Sequence, residues 1–162
     1  MNKPCGIIIF GANGSGKTTL GRELAHMLGF KHLDHEDYAF EQSEIPYTVE
    51  RSFEEYTKEM LFDIENSRGF VLTSVTGDFG EEIQSLYKLA ICLEAPLKLR
   101  IERVKQRNLD KFGDRAREGG DLYERQKNFV DFVATRTLSK IEQRARTLTC
   151  PIIHMDGTVD YK

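Results

Sequence analysis

At 162 residues, 40% hydrophobic and 30% charged, the chain has the length and balance of one globular domain covering residues 1–162. A net charge of -3 gives no reason to expect a nucleic-acid surface, and no stretch approaches the ~20 apolar residues that span a membrane. Cys5, Cys92 and Cys150 are odd in number, far apart and without a Cys-x-x-Cys pair, so they read as buried, reduced thiols of a cytoplasmic protein.

In chain order, "CGIIIF" (5–10) is a continuous apolar run, the pattern of a strand buried on both faces. A helix is expected from Gly16 to about Leu28, with Leu20, Leu24, Met27 and Leu28 on one face and Gly29 as its stop. The apolar start of that run is too short for a secretory signal. "FKHLD" reads as a second strand. After the polar stretch "HEDYAFEQSEIPY", Thr48 or Ser52 caps a helix reaching Asn66, with Val49, Phe53, Tyr56, Met60 and Ile64 as its apolar stripe. "GFVLTSVT" is a third strand, closed by Gly77. A short helix from Glu81 to Tyr87 leads to "LAICLEA", the fourth. Pro96 opens a helix that turns Leu97, Ile101 and Val104 inward. "NLDKFGDRAREGGD" has little apolar content and three glycines, and reads as an exposed insertion. A helical stretch from about Leu122 to Leu148 carries Phe129, Val133, Ile141, Ala145 and Leu148, with a break near Thr135 and Thr137. "PIIHM" is a fifth strand, followed by "DGT". Strands alternating with helices imply an α/β fold with a mainly parallel sheet.

Between the first strand and the first helix stands "GANGSGKTT". Gly11, Gly16, Lys17 and Thr18 fit Gly-x-x-x-x-Gly-Lys-Thr, the P-loop pattern, with an apolar strand before it and a helix after. Glycines let successive N–H groups turn into one hollow, and the helix adds its positive end. The phosphate-binding set is therefore Gly11, Asn13, Gly14, Ser15, Gly16, Lys17, Thr18 and Thr19. Lys17 reaches the β- and γ-phosphates, and the Thr18 hydroxyl can hold Mg²⁺. The competing dinucleotide pattern Gly-x-Gly-x-x-Gly fails, because Thr19 occupies its last glycine position.

The segment "APLKLRIERVKQR" places Arg103 and Arg107 one turn apart after Pro96, and Arg125 and Arg136 follow the insertion. With the P-loop, these features resemble, in order and over nearly the whole chain, the nucleoside monophosphate kinase group of P-loop proteins. That group includes adenylate, shikimate and gluconate kinases. The resemblance implies a three-layer P-loop NTPase fold, a five-stranded, mainly parallel sheet with helices on both faces. It implies a short lid at about 108–120, carrying Arg115 and Arg117, and an acceptor-binding helical segment at about 35–67. ATP and Mg²⁺ are the implied cofactors. Arg103, with the loop Asp156, Gly157 and Thr158, is implied at the adenine, and Arg107 and Arg136 at the transferring phosphate. Arg125 is the weaker match to that second pair.

Just past the second strand, "HLDHEDYAF" matches the place where the sugar-acid kinases hold their acceptor. Asp34 is the best match, as the residue that takes the acceptor proton or holds a magnesium-bound water, and Asp37 is next. A plain helix cap is the alternative for Asp34, and His35 reads as a surface loop residue. The third strand departs from the group. Thr73 stands at its aspartate position, and no arginine follows near Gly77, so a standard nucleotide acceptor site is not supported. Thr73 or Ser74 is left to hold a magnesium-bound water, and Thr76, Gly77 and Asp78 to contact an uncharged, hydroxylated acceptor. Glu94 fits a loose metal-carboxylate pattern but stands directly before the Pro96 helix. Three functions compete: a small-molecule or nucleotide kinase, a regulatory ATP-binding protein or slow ATPase, and a GTPase switch. The last lacks an Asn-Lys-x-Asp tetrapeptide.

Overall fold

The long apolar runs form the middle of a sheet because strands with helices on both sides need apolar residues at every position. A computed structural model describes residues 2–161 and contains strands β1 (Cys5–Phe10), β2 (Lys31–Asp34), β3 (Gly69–Ser74), β4 (Tyr87–Glu94) and β5 (Ile152–Asp156). They lie in the order β2-β3-β1-β4-β5, and every neighbouring pair is parallel. The helices are α1 (Lys17–Leu28), α2 (His35–Ala39), α3 (Phe53–Glu65), α4 (Glu81–Gln84), α5 (Leu97–Phe112), α6 (Tyr123–Thr135) and α7 (Ser139–Thr147), with a 3-10 turn at Gly113–Ala116.

Alternate residues of the central strands serve two cores. Ile7, Ile9, Val71, Ile91 and Leu93 pack with Leu20 and Ala25 of α1. Ile8, Phe10, Leu72 and Cys92 pack on the other side with Met60 and Ile64 of α3, Ile83 of α4 and the partly buried Ile141 and Ala145 of α7. This is the expected three-layer P-loop arrangement. Each fully buried side chain of this size stabilises by roughly 1.5–3 kcal/mol. Because β1 lies between β3 and β4, the chain leaves its two sides in opposite directions. The crevice at the carboxyl end of β1 is where such sheets bind ligands.

Several local expectations change. Ser52, not Thr48, caps α3 by accepting from the Glu55 N–H. Thr48 instead donates to the Ile45 carbonyl. The apolar stripes are shorter than their periodicity suggests: Met27, Leu28, Phe53 and Leu97 are exposed at the ends of α1, α3 and α5, and exposed Val49 lies before α3 begins. The fourth strand starts earlier, at Tyr87, so α4 is a single turn. Cys92 is buried, whereas Cys5 and Cys150 are only partly so, and all three are free.

The largest difference concerns the insertion. α5 continues through Phe112, because buried Asn108 and partly buried Phe112 extend the face begun by Val104. The irregular part is therefore confined to about 113–122. The break after α6 falls where the threonines place it: Arg136 is extended and the Ser139 N–H bonds Thr137 Oγ1. No helix among the described residues is long and apolar enough to cross a membrane.

Candidate functional site

The P-loop leaves β1 at Phe10 and enters α1 at Lys17 through backbone that side chains resist. Gly14 has φ 81° and Gly16 has φ 100°. A Cβ on Gly14 would lie 2.5 Å from the Arg100 carbonyl oxygen, so both conformation and close approach require glycine there. Lys17 Nζ donates to the Ala12 carbonyl across the loop (2.9 Å). Burial draws the Lys17 ammonium down to about 8. Glu36 and Asp34 oppose that shift, while Arg107 and Arg136 add to it. Ser15 Oγ is buried without a hydrogen-bond partner among the described residues.

Two arginines of α5 hold this loop from behind. Arg103 donates to the carbonyls of Gly14 (3.3 Å), Ser15 (3.2 Å) and Gly157 (2.6 Å), and so joins the P-loop to the loop after β5. The Gly157 N–H in turn bonds the Glu94 carbonyl (2.6 Å), and a Cβ on Gly157 would meet the Ser15 carbonyl oxygen at 2.6 Å. Arg100 is buried and donates to the carbonyls of Ala95 and Asn13. Sequence reasoning missed Arg100. Its signal was its position four residues before Val104, on the inward stripe.

The opposite wall begins at the end of β2. Asp34 is the helix cap of its alternative reading, and it also meets the P-loop. Oδ1 caps α2 by accepting from the Glu36 N–H (3.2 Å), and Oδ2 accepts from Thr18 Oγ1 (2.8 Å). Two hard oxygens so close together, at the end of a strand and beside the P-loop, fit a magnesium ion. Arg136 of the α6–α7 break donates to Asn13 Oδ1 (3.2 Å). Lys17, Thr18, Asp34, Glu36, Asp37, Arg103 and Arg107 line one cavity of about 1040 Å³ with Gly157 and Thr158. The cavity exceeds what a drug-sized ligand needs and has room for a nucleotide and a second molecule. Asn13, Lys17, Thr18, Asp34, Thr73, Ser74 and Arg107 also border a small cavity of about 50 Å³.

Of the other candidates, Arg125 also lines the large cavity and Thr73 borders the small one, while Gly77, Asp78 and Asp156 line neither. Gly77 is buried, and its carbonyl accepts from Tyr87 and from Arg144 of α7. Asp78 is exposed, and neither residue lines the large cavity. Thr73 hydrogen-bonds His32 Nε2 (3.0 Å). His35 is not a surface loop residue: it opens α2 and packs against Tyr56 and Phe79. Asp156 accepts from the Thr158 N–H and hydroxyl, which lowers its acidity range and shapes the loop. Arg125 reaches the Tyr47 carbonyl (3.3 Å).

Three cavity residues went unread in the sequence. Glu36 faces Lys17 and Arg107, and its pKa is raised by burial and by Asp34. Tyr47, with φ 62°, stands under Lys111, whose ammonium lies 4.2 Å from the ring centroid. Glu36 and Lys111 read as polar positions of α2 and α5, and Tyr47 escaped notice because the segment 40–52 has no periodicity. It is held by the Phe40–Glu50 bridge and by bonds from Glu41 N–H to Val49 and Arg51 N–H to Ala39.

This geometry has counterparts. An uncharacterized protein of Bacillus subtilis (strain 168), YqaC, is 27% identical over 158 residues, covering 93% of this chain and 87% of that one. A deoxyadenosine kinase from M. mycoides with bound dATP superposes with a TM-score of 0.56 at 15% identity, over 96% of this chain and 92% of that one. A gluconokinase from Sinorhizobium meliloti 1021 gives 0.52 at 12%, over 99% and 86%. A shikimate kinase from Acinetobacter baumannii in complex with shikimate gives 0.51 at 18%, over 94% and 84%. At these identities the likeness to solved structures is one of fold, the fold of P-loop kinases. A family model described as AAA domain matches residues 7–120, well over half of the chain and inclusive of the whole P-loop, so the chain belongs to this family of P-loop NTPases.

Proposed function

We propose that the protein is an ATP-dependent phosphotransferase that moves the γ-phosphate of ATP to a hydroxyl or phosphate of a small acceptor. One observation carries this reading: a single cavity has the P-loop on one wall and, across from Lys17, a carboxylate-bearing strand exit with further aromatic and charged groups. A nucleotide switch does not need that second compartment.

Lys17 and the loop N–H groups hold the β- and γ-phosphates. Thr18, with Asp34, would hold Mg²⁺, which supplies charge neutralisation when bound. Asp34 orients the acceptor and takes its proton as the new O–P bond forms and the bond to ADP breaks. Arg107 and Arg136 offset the negative charge spread over the transferring group. Arg103 positions the Asp156–Thr158 loop, which packs on the adenine. Residues 35–67 form the acceptor side, with Asp37 its second contact. The irregular segment about 113–122, the part of the expected lid that lies beyond α5, closes as a short lid that keeps water from the phosphoryl group. Its hinge-side support is the ion pair of Arg115 with Asp121 (2.8 Å) and the Leu122 N–H bond to the Arg115 carbonyl.

The test is ADP release from ATP·Mg²⁺ with and without nucleosides, nucleoside monophosphates, shikimate, gluconate and simple polyols. An acceptor that raises the rate strongly in the native protein and not in Asp34→Ala supports the proposal. A flat panel with tight ATP binding overturns it in favour of a regulatory nucleotide-binding protein.

A further inference from the structure

On the far side of the β4–β5 pair, three side chains meet that phosphotransfer does not use. Cys92 and Glu94 are two residues apart on β4 and so point to the same face. His154 of β5 stands in register with Cys92. His154 Nδ1 lies 3.0 Å from Glu94 Oε1, and Cys92 Sγ lies 3.8 Å from the same oxygen. The three donor atoms all lie within 4.8 Å of one another.

We propose that Cys92, Glu94 and His154 form a binding site for a divalent transition metal of the zinc class. A thiolate, an imidazole and a carboxylate are the donor types that zinc combines. Zn–S bonds of ~2.3 Å and Zn–N and Zn–O bonds of ~2.0–2.2 Å put tetrahedral ligand atoms roughly 3.3–3.6 Å apart. The observed separations bracket that spacing, so small rotations of two exposed side chains complete the set. The burial is also suited. Cys92 is 2% exposed and fixed by the core, while Glu94 and His154 are open to solvent and provide the entry path. A plain Glu–His surface pair would need no sulfur beneath it. Three protein donors leave the fourth tetrahedral position for a water molecule.

Binding forms M–S, M–N and M–O bonds and releases one thiol proton to solvent. The metal would also clamp β4 to β5 next to the Glu94 carbonyl that accepts from Gly157. Its occupancy therefore stiffens the loop that Arg103 ties to the P-loop. The site does not depend on the phosphotransferase reading.

The test uses the full chain, stripped of metal, titrated with Co²⁺ and then Zn²⁺. The proposal expects one equivalent of Co²⁺ to give a thiolate-to-metal absorption band in the near ultraviolet that Zn²⁺ abolishes. Cys92→Ser should remove the band, with Cys5→Ser and Cys150→Ser retaining it. His154→Ala and Glu94→Gln alter exposed side chains and leave the fold intact, and each should weaken Zn²⁺ by at least about tenfold to 100-fold. Zn²⁺ should raise the melting temperature of the native protein and not of His154→Ala. No band, a band that survives Cys92→Ser, or a Zn²⁺ affinity unchanged in His154→Ala would each overturn the proposal.

Discussion

The two walls of the cavity are built by different means. The P-loop wall is fixed by backbone: carbonyls of Ala12, Asn13, Gly14 and Ser15 accept from Lys17, Arg100 and Arg103, and glycine conformations set the turn. The facing wall has one short backbone bridge, Phe40–Glu50, and otherwise rests on side chains: the Arg51–Glu59 pair, the Lys31–Asp63 pair, Tyr38 on Asp63 and Lys111 over Tyr47. Backbone-held structure tolerates few substitutions and keeps one geometry. Side-chain-held structure can change its ligand while the fold stays the same. In the proposed function the phosphates take the first kind of wall and the acceptor takes the second.

The strongest way to break this contrast is Lys17→Met. Phosphotransfer should fall at least about 10³-fold, since the proposed function gives Lys17 the β- and γ-phosphates. Stability should move the other way. The Lys17 pKa of about 8 is below its ordinary value, so the unfolded chain binds more protons than the native one between about 8 and 10.5. Native stability therefore rises with pH through that window and carries the full cost of a buried charge below it. Removing the charge should stabilise the ligand-free protein at pH 7 by on the order of 1–2 kcal/mol, after the lost bond to Ala12 is offset. The variant should lose the wild-type pH slope above 8 in thermal melts. By the same titration, wild-type affinity for ATP should weaken as pH rises through about 8. If Lys17→Met lowers the melting temperature instead, the P-loop wall does not store that cost.

Asp34→Asn comes next and acts where the walls meet. Asparagine caps helices as well as aspartate does, so α2 should keep its start and the melting temperature should change little. Loss of the proton acceptor should reduce phosphotransfer by about 10²–10⁴-fold with ATP affinity within a few-fold. An equal loss of ATP affinity would make Asp34 part of the nucleotide wall alone. Arg100→Met should have a smaller and different signature. It removes donors from the carbonyls of Ala95 and Asn13, costing about 1–3 kcal/mol in chemical denaturation, and should weaken ATP through a loosened loop.

The same contrast explains what the sequence discloses. The sheet, the P-loop, the break after α6 and the opposed pair Lys17 and Asp34 follow from short-range rules: apolar runs, glycine spacing, cap residues and a strand exit. Arg100 and Arg144 were hidden because a place on an inward helix stripe, the one local mark Arg100 carried, does not disclose an arginine's partner. Their partners are carbonyls of Asn13 and Gly77, 87 and 67 residues away in the chain. Gly77 looked like a ligand contact for a related reason. A glycine at a strand end fits a binding loop and a buried turn equally, and only the approach of Ile8, Tyr87 and Arg144 decides for the turn. Glu36, Tyr47 and Lys111 were hidden because their wall is assembled from α2, the segment 40–52 and α5, which no local pattern links.

Lys111→Met gives the smallest expected effect and the sharpest reading of the second wall. The ammonium is exposed and its contact with Tyr47 is a cation–π interaction, worth about 0.5–1 kcal/mol at such a site. Methionine keeps much of the packing area and removes the charge, so stability should drop by no more than that. ATP affinity should be unchanged, because Lys111 makes no bond to the P-loop wall. The apparent KM for the acceptor should change several-fold, upward for an anionic acceptor and little for a neutral one. The direction of that change would report the charge of the acceptor before its identity is known. A variant that weakened ATP and acceptor together would mean that the two walls move as one body.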